Sequence, residues 1–335
     1  MIKYIGSKRL LVPAIVELIA DLPDVTTVAD LFAGTTRVGR ALKAAGKRVH
    51  SNDTAAYSEV FARVAIATDA GDIDRTKLAA LIADLDATEG EPGWFTETYS
   101  LGARFVHPDN GARLDAIRAR IADEIPDEPY RSAALASLLL ATDRVDSTTG
   151  VQMAYLKSWA PRALKRLTLA VPELLDGPGS VSCADAADCA RSLGSVDLAY
   201  CDPPYNQHSY LGNYHLWETL VRNDRPQVYG VAAKRIDVKT RKSPWNSRRA
   251  IRGAFLELLD AIDARWLLFS FNDEGYLDDG ELVEHLTARG ELTRIEHEHP
   301  RYVGARIGIH NPSGDKVGTV GRLRNAERLY LVRCR

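Results

Sequence analysis

The residues with the most chemical content in this chain are Asp202-Pro203-Pro204-Tyr205, directly after the apolar run Val196–Cys201. Two consecutive prolines fix φ and remove two N–H donors, so the carbonyls around them stay free to accept hydrogen bonds. A carboxylate beside such carbonyls suits an amino group. The ring of Tyr205 offers a face on which a flat base can stack. An isolated Asp-Pro-Pro is usually only a turn after a strand. The buried-type strand before it and the aromatic ring after it make Asp202, Pro203, Pro204 and Tyr205 a candidate catalytic notch. His208, beside the notch, reads as a structural hydrogen-bonder.

Three more acids stand at the ends of short apolar segments. Thr26–Phe32 reads as a buried strand that runs through Asp30 into Ala33-Gly34-Thr35-Thr36. A helix from about Arg37 to Ala45 follows, with Gly46 as its C-cap. Arg48–Asn52 is a second strand, closed by Asp53, before a helix to about Ala67. This β-α-β-α order signals a parallel sheet, whose ligands sit outside the carboxyl ends of the strands. Asp185 ends a later strand, Ser180–Asp185. Asp53 falls roughly 20 residues past the glycine turn, where an acid grips a ribose hydroxyl pair.

That spacing alone is compatible with NAD. The turn Phe32-Ala33-Gly34-Thr35-Thr36, however, lacks the glycines that let backbone approach a pyrophosphate. A ligand with ribose, adenine and an amino-acid tail but no phosphate fits better, and S-adenosylmethionine (AdoMet) is that molecule. Lys3-Tyr4-Ile5-Gly6-Ser7-Lys8 would by itself be an ordinary basic arm. Next to a ribose acid and the notch, it becomes a candidate to close over the methionine end.

From about Gly71 to Leu175 the alternation gives way to helical periodicity. Asn110–Glu124 sets Leu114, Ile117 and Ile121 on one face, and Tyr130–Thr142 is rich in Ala and Leu. Three segments are therefore expected: 1–70 as the first part of a catalytic domain, 71–178 as a helical insertion, and 179–335 as the second part. After the notch the sequence predicts a helix from about Asn213, a long polar loop to Trp245 and a helix near Arg248–Asp263. Strands follow at Trp266–Phe271, Thr293–Glu298 and Leu329–Val332, with Asn311-Pro312-Ser313-Gly314-Asp315 as the turn of a late hairpin.

In this order, Lys3–Lys8, Asp30-Leu31-Phe32-Ala33-Gly34, Asn52-Asp53 and Asp202–Tyr205 resemble the motifs of the alpha group of N6-adenine DNA methyltransferases. Thr148-Thr149-Gly150, Ala154-Tyr155-Leu156-Lys157 and Asn206–Glu218 resemble the modification methylases of the FokI type more closely. The likeness covers nearly the whole chain. It implies an α/β class I AdoMet-dependent methyltransferase, Rossmann-like, with a seven-stranded mostly parallel sheet, a late antiparallel hairpin and a helical insertion. It implies AdoMet as donor and adenine in duplex DNA as acceptor. Tyr4, Lys8, Asp30, Phe32, Gly34, Asp53 and Asp202 then belong to the cofactor site, and Asp185 lies where the cofactor adenine is contacted. One departure is Thr36, where many relatives carry a second glycine.

DNA contact needs positive charge. Lys234, Arg235, Lys239, Arg241, Lys242, Arg248 and Arg249, with Trp245 among them, are the expected phosphate-binding stretch. Sequence reading is expected of the insertion, with Arg104, Asn110 and Arg113 as examples of residues able to reach a groove. A cognate restriction endonuclease is the expected partner, with a solitary or phage methylase as the other setting. An RNA adenine or protein glutamine methyltransferase, and a silent DNA-binding relative, are the competing readings. The retained Asp202 argues against both.

The remaining composition sets limits. A net charge of −2 excludes a wholly basic, histone-like coat but leaves room for a basic face. Cys183, Cys189, Cys201 and Cys334 form no CxxC pair and have no histidine at metal spacing, so reduced thiols and no metal are expected. No apolar run reaches the roughly 18 residues of a membrane span, and Met1–Tyr4 does not begin a secretory signal. A soluble cytoplasmic enzyme is the expectation.

Overall fold

The computed structural model describes residues 2–6, 8–153, 158–272, 275–300 and 324–335. Helix α1 (Val12–Ala20) leads into β1 (Thr27–Asp30), α2 (Arg37–Ala44), β2 (Arg48–Asn52) and α3 (Ala56–Ala62). The helical segment holds α4 (Arg75–Asp86), α5 (Pro108–Glu124) and α6 (Tyr130–Val145). Then come β3 (Gly179–Ser182), α7 (Ala186–Leu193), β4 (Val196–Cys201), α8 (Tyr210–Asn213) and α9 (His215–Arg222). A two-residue hairpin, β5 (Val228–Tyr229) and β6 (Lys234–Arg235), precedes α10 (Ile251–Ala261) and β7 (Ala264–Asn272). Helix α11 (Asp279–Arg289), β8 (Gly290–Pro300) and β9 (Arg324–Cys334) complete the described chain.

Seven strands form one sheet in the order β3-β2-β1-β4-β7-β9-β8. The first five are parallel, and β9 runs antiparallel between β7 and β8. This is the class I methyltransferase sheet, with its late antiparallel pair. Its apolar side chains are covered on both faces, as a parallel sheet requires. On one face α1, α2 and Ile66 meet Val28, Leu198 and Leu268; on the other α7, α10 and α11 meet Ala29, Leu267 and Phe269. The chain runs outward from β1 to β3, then returns to β4 beside β1. At that reversal the loops after β1 and β4 separate, which opens a crevice at the carboxyl ends. Asp30 and Asp202 therefore face one space although they stand 172 positions apart in the sequence.

The helices of 71–178 share one apolar cluster with the catalytic part. Tyr99, Leu114 and Leu138 pack with Tyr57 and Phe61 of α3 and with Tyr214 and Trp217. Helicity does not extend to Leu175 as periodicity suggested. Beyond Val145 the described chain is irregular apart from a 3-10 turn at Pro161–Leu164. Irregular backbone needs outside partners for its polar groups. Asn110 donates to the carbonyls of Ala163 and Lys165 at 3.0 and 2.8 Å, and Arg113 donates to that of Leu167 at 3.2 Å. Both are buried. They are structural staples, not the groove-reading residues that their polarity suggested. Arg104 lies over the ring of Trp159, 5.2 Å from its centroid.

Sequence periodicity does not single out helices α1, α7 and α11. The Ala154–Lys157 motif and the Asn311–Asp315 turn lie outside the described residues. No helix among the described residues is long and apolar enough to cross a membrane.

Candidate active site

Strand β4 ends in buried Cys201, and the next residue, Asp202, keeps a side chain 17% exposed at the floor of the crevice. Its Oδ1 lies 2.8 Å from Nζ of Lys8, whose side chain is only 7% exposed. Lys8 also meets Glu327 of β9. Among the described residues, Oδ2 of Asp202 has no protein partner. Burial raises the Asp202 carboxyl, Lys8 lowers it and Glu327 raises it again, with a net result of about 6. Burial pulls Lys8 down, but the two carboxylates outweigh it and hold the ammonium charged.

The prolines hand the chain to a pinned loop. Asn246 donates to the carbonyls of Asn206 at 2.7 Å and His208 at 3.1 Å. Tyr276 donates its N–H to the carbonyl of Tyr205 at 2.9 Å. The Tyr205 ring leans on Phe271, centroids 5.6 Å apart at 59°. His208 is exposed and makes these contacts through its backbone.

The cavity in front of Asp202 has a volume of about 310 Å³. It is lined by all the expected cofactor residues: Tyr4, Lys8, Asp30, Phe32, Gly34, Asp53, Asp185 and Asp202. Gly34 sits at φ +53°, and a Cβ there would come 3.2 Å from the Tyr4 ring, so side-chain-free backbone is required at that approach. Its N–H donates to Oδ2 of Asp53 at 2.9 Å, while Oδ1 of Asp53 takes the N–H of Ala55. Two backbone donors thus aim this carboxylate. Asp185 caps α7 through the N–H of Ala187 at 2.9 Å.

Asp30 is the most strained of these acids electrostatically. One oxygen accepts the N–H of Gly39 at 3.2 Å; the other, Oδ1, is buried without a partner. Burial first, then the nearby Asp202, pushes its carboxyl to about 8. Gly39 carries no signal in the sequence. A Cβ there would meet Ser51 Oγ at 2.8 Å and Asp30 Oδ2 at 3.1 Å, so α2 can approach the strands only with glycine. Thr36 is left-handed at φ +61° with its hydroxyl buried and unpartnered. A β-branched residue is an outlier in that region. The loop has kept the glycine conformation without the glycine.

The N-terminal arm is locked by stacking. The Tyr4 ring is stacked on both Tyr210 and Tyr214, at 5.2 and 4.5 Å between centroids. The N–H of Ile5 donates to the Tyr214 hydroxyl at 2.6 Å. Lys3 pairs with Asp143 and Asp146 at the end of α6. The FokI-like segment that carries Tyr210 and Tyr214 therefore works as the seat of the arm.

The basic stretch divides. Arg235 is 1% exposed and its guanidinium is held by Asp224 at 2.7 Å and Asp237 at 3.1 Å. It has no donor left for a phosphate and corrects the sequence expectation. Arg241 turns inward: it donates to fully buried Glu218 at 2.9 Å and to the carbonyl of Thr54 at 3.2 Å. Glu218 also accepts the N–H of Ala56 at 2.9 Å. Trp245 is buried against Phe32 and Phe269. The polar loop is therefore a strap along one side of the cavity. Lys239, Lys242, Arg248 and Arg249 remain exposed, and Lys234 is half-buried. The acids that redirect Arg235 and Arg241 lie 2 to 23 residues away along the chain, which is why composition of the stretch alone misled.

The donor set fits AdoMet: a carboxylate aimed by backbone for ribose hydroxyls, a buried carboxyl oxygen without a partner for an ammonium, and aromatic walls for a purine. A family model for D12 class N6 adenine-specific DNA methyltransferases matches residues 4–267. The type II methyltransferase M.CviAII of Paramecium bursaria Chlorella virus 1 is 31% identical over 90% of this chain and 92% of its own. M.NlaIII of Neisseria lactamica is 30% identical over 82% and 83%. The modification methylase StsI of Streptococcus sanguinis is 29% identical over 85% of this chain but 46% of its own, so the chain spans about half of that relative. With the family match running from the stacked Tyr4 through the notch and into β7, the chain belongs to the D12 class of N6 adenine-specific DNA methyltransferases.

Proposed function

We propose that the protein is a site-specific adenine DNA methyltransferase, which places a methyl group from AdoMet on N6 of an adenine turned out of duplex DNA. The observation that carries the reading is the meeting of Asp202 and its prolines with Lys8 at the mouth of the carboxylate-lined cavity. Tyr4, Lys8, Asp30, Phe32, Gly34, Asp53 and Asp185 hold the cofactor in this reading. Asp53 takes the ribose, and the ring of Phe32 flanks the adenine.

When bound, AdoMet supplies a methyl group activated on a sulfonium. The amino nitrogen of adenine is a poor nucleophile because its lone pair is delocalised into the ring. Oδ2 of Asp202 and the carbonyl of Pro203 each accept one amino hydrogen, which favours a pyramidal nitrogen and raises its electron density. Lys8 holds Oδ1 and keeps the carboxylate from rotating away. The methyl group would leave its electron pair on the sulfur, which becomes a neutral thioether, and Asp202 Oδ2 takes one proton from the methylated amino nitrogen and releases it to water. Positioning and electrostatics supply the acceleration.

Adenine in a duplex cannot reach Asp202, so the base is extruded and stacked on Tyr205. Lys234, Lys239, Lys242, Arg248 and Arg249 hold phosphates and position the duplex. The 71–178 segment contributes target recognition. The names of the type II and modification methylases above support a setting in restriction–modification, with an endonuclease of the same site as partner.

Tritium transfer from labelled AdoMet to duplex DNA, with RNA in parallel, tests this reading. N6-methyladenine in the DNA digest is the expected product. Methylcytosine, or transfer to RNA alone, would overturn the acceptor.

A further inference from the structure

Lys8 does not serve Asp202 alone. Its Nζ lies between Oδ1 of Asp202 at 2.8 Å and Oε1 of Glu327 at 2.5 Å. Glu327 is 3% exposed, so water does little to solvate its charge. It stands on β9 in register with Asn272 of β7. Ser270 Oγ donates to its Oε1 at 2.8 Å and Asn272 Nδ2 to its Oε2 at 3.2 Å. Every donor needed to keep a buried carboxylate ionised is in place, behind the notch and away from the cavity wall.

We propose that Glu327 is a positioning residue for methyl transfer, which acts on Asp202 by sharing Lys8 with it. The inference rests on the function proposed above. One ammonium between two carboxylates leaves the trio with a net negative charge. A lysine paired with Asp202 alone would neutralise it and weaken it as an acceptor for an amino group. Glu327 draws part of the ammonium's field backwards, so Lys8 anchors Asp202 without quenching it. The other groups facing Asp202 are the acid Asp30, the thiol of Cys201 and the phenols of Tyr200 and Tyr210, with Tyr205 beside Lys8. None of them replaces Glu327 on Lys8. Burial pushes the Glu327 carboxyl up, and Lys8 with Ser270 and Asn272 more than reverses this, so the group is held below the usual range.

The test is Glu327→Gln in the full chain, followed in two ways. Carbon-13 signals of labelled aspartates, with Asp202 assigned by its loss in Asp202→Asn, report the carboxyl directly. Its midpoint should fall by roughly 1 pH unit, since a like charge has gone. Single-turnover methylation should lose at least ~5-fold at its plateau, with its acid limb displaced downward by the same amount, while AdoMet and DNA dissociation constants stay within about twofold. Glu327→Asp, which keeps the charge, should return the limb to the parental position.

If Glu327→Gln does not fold, Ser270→Ala, which removes a donor from Glu327 and strengthens its hold on Lys8, should instead move the Asp202 midpoint upward. An unmoved midpoint and limb would overturn the proposal. A parent protein that methylates no adenine would overturn the proposed function instead, while the carbon-13 titration still decides the role of Glu327.

Discussion

Replacement of Asp30 by Asn offers the sharpest check on the electrostatics of the cavity. The Asp30 carboxyl is buried, one of its oxygens has no partner, and burial with Asp202 nearby sets it at about 8. In the unfolded chain it sits near the ordinary aspartate value of about 3.9. Between those values the folded protein holds a proton that the unfolded chain has released. The folded state binds more protons, so stability is greatest below the unfolded value and falls as pH rises through the folded one. The slope approaches ~1.4 kcal/mol per pH unit across the window. From pH 5.5 to 7.0 this amounts to ~2 kcal/mol lost by the parent and spared in Asp30→Asn, whose amide resembles the protonated carboxyl. Urea unfolding of both proteins without AdoMet, at half-unit pH steps, measures the difference. Curves that stay parallel within ~0.5 kcal/mol over that range would show that Asp30 ionises freely and that the cavity floor is wetter than its burial implies.

Other outcomes follow from the same site. Asp53→Ala should raise the AdoMet dissociation constant ~10- to 100-fold by isothermal titration and leave DNA affinity nearly unchanged, since a charge-assisted hydrogen bond is worth ~1.5–3 kcal/mol. Arg235→Ala should lower stability by about 2 kcal/mol in thermal melts, discounted because Asp224 and Asp237 are partly solvated, and should not alter the salt dependence of DNA binding. The triple change Lys239→Ala, Lys242→Ala and Arg248→Ala should do the opposite: the slope of log affinity against log salt drops by about 0.9 for each phosphate that is no longer neutralised, with stability preserved. Thr36→Gly should be more stable than Thr36→Ala by ~1 kcal/mol in chemical denaturation, because both lose the threonine hydroxyl and methyl but only glycine is at ease at φ +61°.

The ordered motifs and the strands that carry Asp30, Asp53 and Asp202 were legible because each is written locally. Apolar runs, a turn and an acid at the strand end specify them without help from elsewhere. What escaped was everything decided by a distant partner. Asn110 and Arg113 have the composition of nucleic-acid contacts, yet each meets open carbonyls that only the folded chain brings near, and Arg235 and Arg241 are turned in by Asp224 and Glu218 as well as by Asp237 within their own stretch. Glu327 lies 319 positions from Lys8 and no pattern in β9 marks it. Trp245 read as part of a basic loop because its neighbours are polar, although its own ring belongs to the core. Charge patterning describes a surface only where the charges stay on the surface.

That sorting of charge has a consequence for how one protein of net charge −2 can hold both a cationic cofactor and a polyanion. Of the positive groups that line the cavity, Lys8 is committed to Asp202 and Glu327, Arg241 to Glu218 and Asp237, and Arg37 to the carbonyl of Ile2, while Lys242 is exposed on the strap. Asp30, Asp53 and Asp185 have no cation of their own among the described residues. Asp30 keeps its proton up to about 8, so the negative potential of the cavity rests on Asp53, Asp185 and the net charge of the Asp202–Lys8–Glu327 trio, which suits a ligand bearing a sulfonium and an ammonium against one carboxylate. The same excess would repel phosphate. On the function proposed above, DNA meets the protein through the exposed lysines and arginines on the strap and just beyond it, and only an uncharged part of it, a base, enters the cavity. On that proposal, extrusion of the adenine answers the depth of the notch and also its electrostatics, because the neutral ring is the one part of a nucleotide that the acidic cavity does not oppose.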